Sequence, residues 1–208
     1  MSENDTEKPE KKTWSLELFL RKFFKGIIDP IAGFFLKVGL TPNSITAIGL
    51  LLAGLAAYFI ATGRFTIGGL ILLIGAPLDV IDGSMARQLG EPSKFGGFID
   101  SVTDRYSELV VLLGLLIYYA GNGSQLESVL VLIAAAGSVM VSYTKARAES
   151  LGFTAKVGLL TRVERMIVMV VFLIIQHPAI ALWIIAILAN FTALQRILFV
   201  HKQAAGKQ

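Results

Sequence analysis

The chain contains no cysteine. That excludes a disulfide framework, a thiolate metal site and a cysteine nucleophile. Histidine is almost as scarce. His177 precedes Pro178 in a predicted loop and His201 falls in the basic C-terminal stretch, so neither marks an imidazole-based centre. Charge is thin as well, at 16% of the 208 residues. A signal-peptide pattern is also missing: Met1 to Lys12 is polar and charged, with no short apolar run or cleavage site. No internal repeat is visible, and Met1 to Thr13 alone is poor in apolar residues; it is expected to be a disordered cytosolic tail.

What the chain has in abundance is apolar sequence. Hydrophobic residues make up 54% and the mean hydropathy is +0.68. A soluble domain of this size needs a more polar surface, whereas about 20 mostly apolar residues suffice to cross a bilayer. The net charge of +4 and the pI of about 9.4 do not point to nucleic acid. The basic residues sit in the gaps between apolar runs, where membrane topology and anionic lipid account for them.

The runs predict an all-α, polytopic membrane protein. Trp14 to Gly39 has apolar residues at helical spacing with Arg21, Lys22, Lys25 and Lys37 interspersed, which predicts an amphipathic surface helix bent at Pro30. Six transmembrane helices are expected to follow: 45–61, 67–85, 98–119, 126–146, a fifth starting near Arg165 and ending at Gln176-His177-Pro178, and 179–200. One set of connections carries Arg87, Lys94, Lys145, Arg147, Lys156, Arg162 and Arg165; the other carries only Arg64 and Glu127 as formal charges. The positive-inside rule then puts both termini on the cytoplasmic side of the cell membrane, which requires an even number of spans. Residues 14–208 read as one membrane domain.

Four aspartates stand out in DVIDGSMARQLGEPSKFGGFIDSVTD: Asp79 and Asp82, then Asp100 and Asp104. Spacings of three and four put each pair on one face of its helix. A loop of roughly ten residues between them predicts antiparallel neighbours on which the carboxylates converge. A charged group at mid-bilayer costs roughly 2.5 to 3.5 kcal/mol, and clustered anions repel. A pair of hard divalent cations, Mg²⁺ or Mn²⁺, relieves both penalties, because all-oxygen ligands suit them. Gly83, Ala86 and Gly96 share faces with the acids and allow close approach. Arg87 is placed to hold a phosphate.

At these residues the sequence resembles the CDP-alcohol phosphotransferase family, whose signature is D-x2-D-G-x2-A-R-x8-G-x3-D-x3-D. Asp79, Asp82, Gly83, Ala86, Arg87, Gly96, Asp100 and Asp104 match it at every spacing, eight fixed positions over 26 residues. The resemblance implies that Asp79, Asp82 and Asp100 ligate a two-metal centre. It implies that Asp104, at its edge, is the general base for the acceptor hydroxyl and touches a metal. Gly83 and Ala86 would make room for the cytidine nucleotide of a CDP-lipid, and Arg87 would contact its phosphates. Asn43 and Thr46 stand in a segment that in relatives lies close to the nucleotide. The family likeness also implies a homodimer.

For the acceptor, Lys145, Arg162, Arg165 and Arg196 form a cytoplasmic-side cluster suited to an alcohol that itself carries a phosphate. SYTKARAE (142–149), the 159–168 stretch and the Gln195-Arg196 pair resemble the phosphatidylinositol-phosphate synthases and their archaeal counterparts. That likeness implies that Lys145, Arg165 and Arg196 grip the phosphate of inositol 1-phosphate. Thr161 stands where those relatives often have an acid. Glycerol 3-phosphate is the alternative acceptor. A small transporter or scaffold is the competing class, but the acids cluster at one edge of the spans and no repeat accompanies them.

Overall fold

The computed structural model describes residues 16–90 and 93–206, with side chains from residue 26 onward. The expected tail, and the side chains of Arg21, Lys22 and Lys25, lie outside the described residues. Eight α-helices and no strand occur among those described: α1 (Leu16–Lys37), α2 (Pro42–Ala61), α3 (Phe65–Gly75), α4 (Leu78–Gln88), α5 (Lys94–Gly121), α6 (Gln125–Ser150), α7 (Arg162–Ile174) and α8 (Pro178–Ala205).

Local chemistry fixes the boundaries. Thr41 caps α2 by accepting from the Ser44 amide at 3.2 Å, with Pro42 as the first helical residue. Ser93 caps α5 by accepting from the Gly96 amide at 2.8 Å. Helix α1 runs through Pro30 and closes with Leu40 N–H on the Phe35 carbonyl and Gly39 N–H on the Leu36 carbonyl, Gly39 taking φ +89°. Helix α7 ends the same way, yet its left-handed residue is Gln176, at φ 62°.

Two expectations are corrected here. The second apolar run is not one regular helix. It is α3 and α4 joined at Ala76-Pro77, because Pro77 has no N–H to continue the ladder. Both joint residues keep right-handed helical dihedrals, so the segment 65–88 remains continuous. The loop between the acidic pairs is also shorter than expected. Helix α4 extends to Gln88 and Ser93 starts α5, leaving only 89–93 between them.

Helix α2 packs on α3, α4 and α5; α5 on α6; α6 on α8; α8 on α7; and α7 back on α3. The bundle therefore closes on itself, with α1 lying against α4. The direct pairing expected of α4 and α5 gives way to packing of each on α2. Close approach rests on small residues. A β-carbon at Gly114 of α5 would stand 2.6 Å from the Ala57 carbonyl oxygen of α2. Leu115, Ala134, Leu173, Leu182 and Ala189 are fully buried in the main core. A second small core, Ile28, Ala32, Ile45, Ile81 and Met85, joins α1 to α2 and α4.

The outer surface is apolar, with Leu51, Ile74, Leu132 and Ile187 all exposed. A soluble protein does not display such a surface, and hydrocarbon covers it here. Four stretches are long and apolar enough to cross a membrane: Pro42–Ala61, Phe65–Gln88, Gln125–Ser150 and Pro178–Ala205. Helix α5 is long but carries Asp100, Asp104, Arg105 and Glu108. Helix α7 has only 13 residues. The chain is thus an all-α, multi-pass membrane protein.

Candidate active site

Helix α4 presents Asp79 in its first turn and Asp82 one turn on; α5 presents Asp100, Asp104 and Glu108 along one stripe. Asp82 and Asp104 are buried, at 5% and 8% exposure, whereas Asp79 and Asp100 are half-buried. The Thr46 hydroxyl of α2 donates to Asp82 Oδ2 at 2.6 Å and fixes that carboxylate. Asp100 lies within electrostatic range of Asp79, Asp82 and Arg162.

The centre of the site is Arg162, the first residue of α7. Its Nη2 donates to Asp79 Oδ2 at 2.5 Å and contacts Asp104 Oδ1 at 2.7 Å. One nitrogen therefore bridges the two acidic helices, and those oxygens stand no further apart than the sum of the two distances. The four aspartates are gathered at one end of the bundle, but not around a common point. Among the described residues, no group of three or more acidic or histidine side chains stands at metal-holding distances. The Arg162 guanidinium lies between Asp79 and Asp104.

The small residues line the approach. Arg87 is exposed, and its Nη1 would lie 3.5 Å from a β-carbon at Gly83. Gly96 is hemmed in by Ser93 Oγ, with Asn43 Oδ1 nearby. Asn43 is exposed and Ala86 half-buried. Thr46, at 6% exposure, faces Asp82 from within the bundle and does not front the approach.

Two members of the expected phosphate cluster are placed differently from expectation. Arg165 is 2% exposed, with Nε and Nη2 on the two oxygens of Glu108 at 2.7 and 2.8 Å and Nη1 on the Leu160 carbonyl at 3.3 Å. Arg196 is 5% exposed and donates through Nε to the Val157 carbonyl at 2.9 Å and through Nη1 to the Val141 carbonyl. Burial forces each guanidinium to find protein acceptors, so the pair anchors the 151–161 segment between α6 and α8. Thr192 reinforces it by accepting from the Leu160 amide. Arg162 and Lys145 remain exposed or partly so.

A cavity of about 90 Å³ adjoins the site. Asp104, Glu108, Arg162 and Arg165 form its polar end, and Val111 and Met169 belong to its apolar wall. Glu108 stands one turn beyond Asp104, the one signal in the sequence for its place beside the site. Asp29 of α1 also enters the picture: it accepts from Ser84 Oγ at 2.6 Å through Oδ1 and from Gln88 Nε2 at 2.8 Å through its carbonyl. That clasp holds α1 on α4, and no spacing in the sequence marks it.

Residues 39–195 match the family model described as CDP-alcohol phosphatidyltransferase. A Streptomyces avermitilis protein named phosphatidylinositol phosphate synthase is 35% identical, over 91% of this chain and 84% of its own length. A Pyrococcus horikoshii protein named archaetidylinositol phosphate synthase is 35% identical, over 88% and 96%. The phosphatidylinositol phosphate synthase of Mycobacterium tuberculosis superposes at a TM-score of 0.80 in complex with manganese and citrate, with 30% identity over 84% of this chain and 89% of that one. With CDP-DAG bound it superposes at 0.79, with 30% identity over 84% and 93%. With the motif, the helical bundle and these relatives in agreement, the chain is a membrane transferase that belongs to the CDP-alcohol phosphatidyltransferase family.

Proposed function

We propose that this enzyme transfers a phosphatidyl group from CDP-diacylglycerol to inositol 1-phosphate, giving phosphatidylinositol phosphate and CMP. The observation that carries the reading is the Asp79–Arg162–Asp104 bridge. It sets three elements of the bundle around one polar centre, beside small residues on one flank and a cation-edged cavity on the other. The names of the relatives favour inositol phosphate over glycerol 3-phosphate.

Asp79, Asp82, Asp100 and Asp104 fit a pair of Mg²⁺ or Mn²⁺ ions. The donor set is all carboxylate, Asp82 is held by Thr46, and Asp79 and Asp104 already share one positive centre. Bound there, such ions offset the charge that develops on the diphosphate as CMP departs. Gly83, Ala86 and Arg87 receive the nucleotide diphosphate, with Asn43 at the rim and Thr46 acting through Asp82. Asp104 takes the proton from the acceptor hydroxyl, whose oxygen attacks the lipid-side phosphorus in line while the bond to CMP breaks. Lys145 and Arg162 meet the acceptor's phosphate; Arg165 lines the cavity beside Arg162, and Arg196 holds the 151–161 segment that leads into α7.

The same reading makes 14–208 one domain with six spans, counted as α2, α3 with α4, α5, α6, α7 and α8. Helix α1 lies amphipathically at the cytoplasmic surface, both termini and the site are cytoplasmic, and two copies pair in the membrane. Mass analysis of the lipid product tests the acceptor: the account predicts a lipid bearing two phosphates and one inositol. A lipid with a single phosphate would contradict it.

A further inference from the structure

Arg162 has more than one call on it. Its Nη2 donates to Asp79 Oδ2 and forms an ion pair with Asp104 Oδ1 at 2.7 Å. A divalent cation taking those same oxygens would meet the guanidinium head-on, a like-charge contact that also removes its acceptor on Asp79 and its counter-ion on Asp104. The two cations are therefore mutually exclusive at Asp79 Oδ2 and Asp104 Oδ1. The side chain has room to turn: it is 34% exposed and borders the cavity. Arg165, three residues on, has no such freedom, because Glu108 clasps it in the core.

From this geometry we infer that Arg162 is a displaceable counter-ion. It holds α4 and α5 together through Asp79 and Asp104, it yields those oxygens to the metal, and its released guanidinium then becomes a ligand for the acceptor's phosphate. The inference rests on the proposed metal-dependent reaction and deepens it. Metal loading creates part of the acceptor site. Linkage requires the converse, so a phosphate compound that engages Arg162 tightens metal binding by the same factor.

The test is Mn²⁺ binding to the full-length protein in nanodiscs, followed by loss of the free-ion electron paramagnetic resonance signal. The arms are wild type, Arg162→Gln, and Arg147→Gln, which removes an exposed cation of α6. Each is titrated with and without inositol 1-phosphate. Charge-assisted hydrogen bonds of this kind correspond to about a tenfold change in an equilibrium constant. Arg162→Gln should therefore bind Mn²⁺ about tenfold more tightly than wild type without the phosphate compound, and show no further tightening with it. Wild type and Arg147→Gln should tighten on adding it. If glycerol 3-phosphate alone causes the tightening, the role of Arg162 stands and the acceptor assignment falls. Equal or weaker Mn²⁺ binding by Arg162→Gln would overturn the inference. So would a wild-type affinity that no phosphate compound changes, a result that holds even if the variant fails to fold. No Mn²⁺ binding by wild type would remove the metal site and this inference together.

Discussion

At the scale of single residues, the site is a set of carboxylates whose positions are held by neighbours outside the motif. Thr46 sits on a different helix from Asp82 and keeps its oxygen in place at 2.6 Å. Groups that orient a metal ligand typically carry a tenfold to hundredfold share of metal affinity. Thr46→Val, which keeps the shape and removes the donor, should weaken Mn²⁺ binding by about tenfold, read by titration of the purified protein. Unchanged affinity would mean that Asp82 orients itself. Glu108 and Arg165 form the other decisive pair. With Arg165 at 2% exposure, Glu108→Gln leaves a cation in the core without its counter-ion and should cost about 3 kcal/mol, seen as a lower thermal midpoint. Adding Arg165→Gln should restore part of that loss, because both charges are then gone.

The carboxylate quartet was legible in the sequence because it is a matter of spacing. A helix repeats every 3.6 residues, so acids three or four apart share a face whatever surrounds them. The burial of Arg165 and Arg196 was not legible. Their positions near span ends read as a cation cluster facing the cytosol. Whether a guanidinium faces water or a buried carbonyl depends on how α7 and α8 rotate against their neighbours, and that is set by tertiary packing. The Asp29–Ser84 clasp was hidden for the same reason, since its partners are 55 residues apart.

At the scale of elements, the apolar runs located the helices well but not their joints or partners. Pro77 lay inside a run that otherwise reads as one helix. The backbone absorbs it by dividing the segment into α3 and α4 while staying right-handed. Partner choice depends on where backbones approach closely, and hydropathy does not report that. Helix α2 became the neighbour of α3 and α5 through small residues, Gly68 and Gly114, and of α4 through Thr46 on Asp82 and Ile45 on Ile81 and Met85. Gly114 tests this directly. A Val there would force its β-carbon to 2.6 Å from the Ala57 carbonyl oxygen, closer than atoms can stand. Gly114→Val should separate α2 from α5, at a cost of about 3 kcal/mol, and lower the thermal midpoint in detergent. An unchanged midpoint would show that α5 can shift without loss. Because α5 carries Asp100 and Asp104, activity should fall with stability.

At the scale of the whole molecule, the closed ring of helices gathers the acidic ends of α4 and α5 and the start of α7 at one end of the bundle. The turns after α2, α5 and α7 alternate with the polar connections along the chain, and this alternation underlies the proposed topology. The lack of cysteine makes it easy to test, because any introduced thiol is the only one present. Gln125→Cys, at the start of α6, should react with a membrane-impermeant maleimide on intact cells. Ser150→Cys, at the other end of that helix, should react only after permeabilisation. Labelling of both from the same side would contradict the assigned span.

All of this serves one reaction, the proposed transfer of a phosphatidyl group to inositol 1-phosphate at Asp79, Asp82, Asp100 and Asp104. The most direct measurement is CMP release by the purified protein from CDP-diacylglycerol with Mg²⁺, comparing inositol 1-phosphate, glycerol 3-phosphate, serine and no acceptor, with Asp104→Asn in parallel. The account predicts release driven by inositol 1-phosphate alone, and a fall of about 10²- to 10⁴-fold in Asp104→Asn, the usual share of a general base. Release driven equally by glycerol 3-phosphate or serine, or full activity in Asp104→Asn, would contradict it.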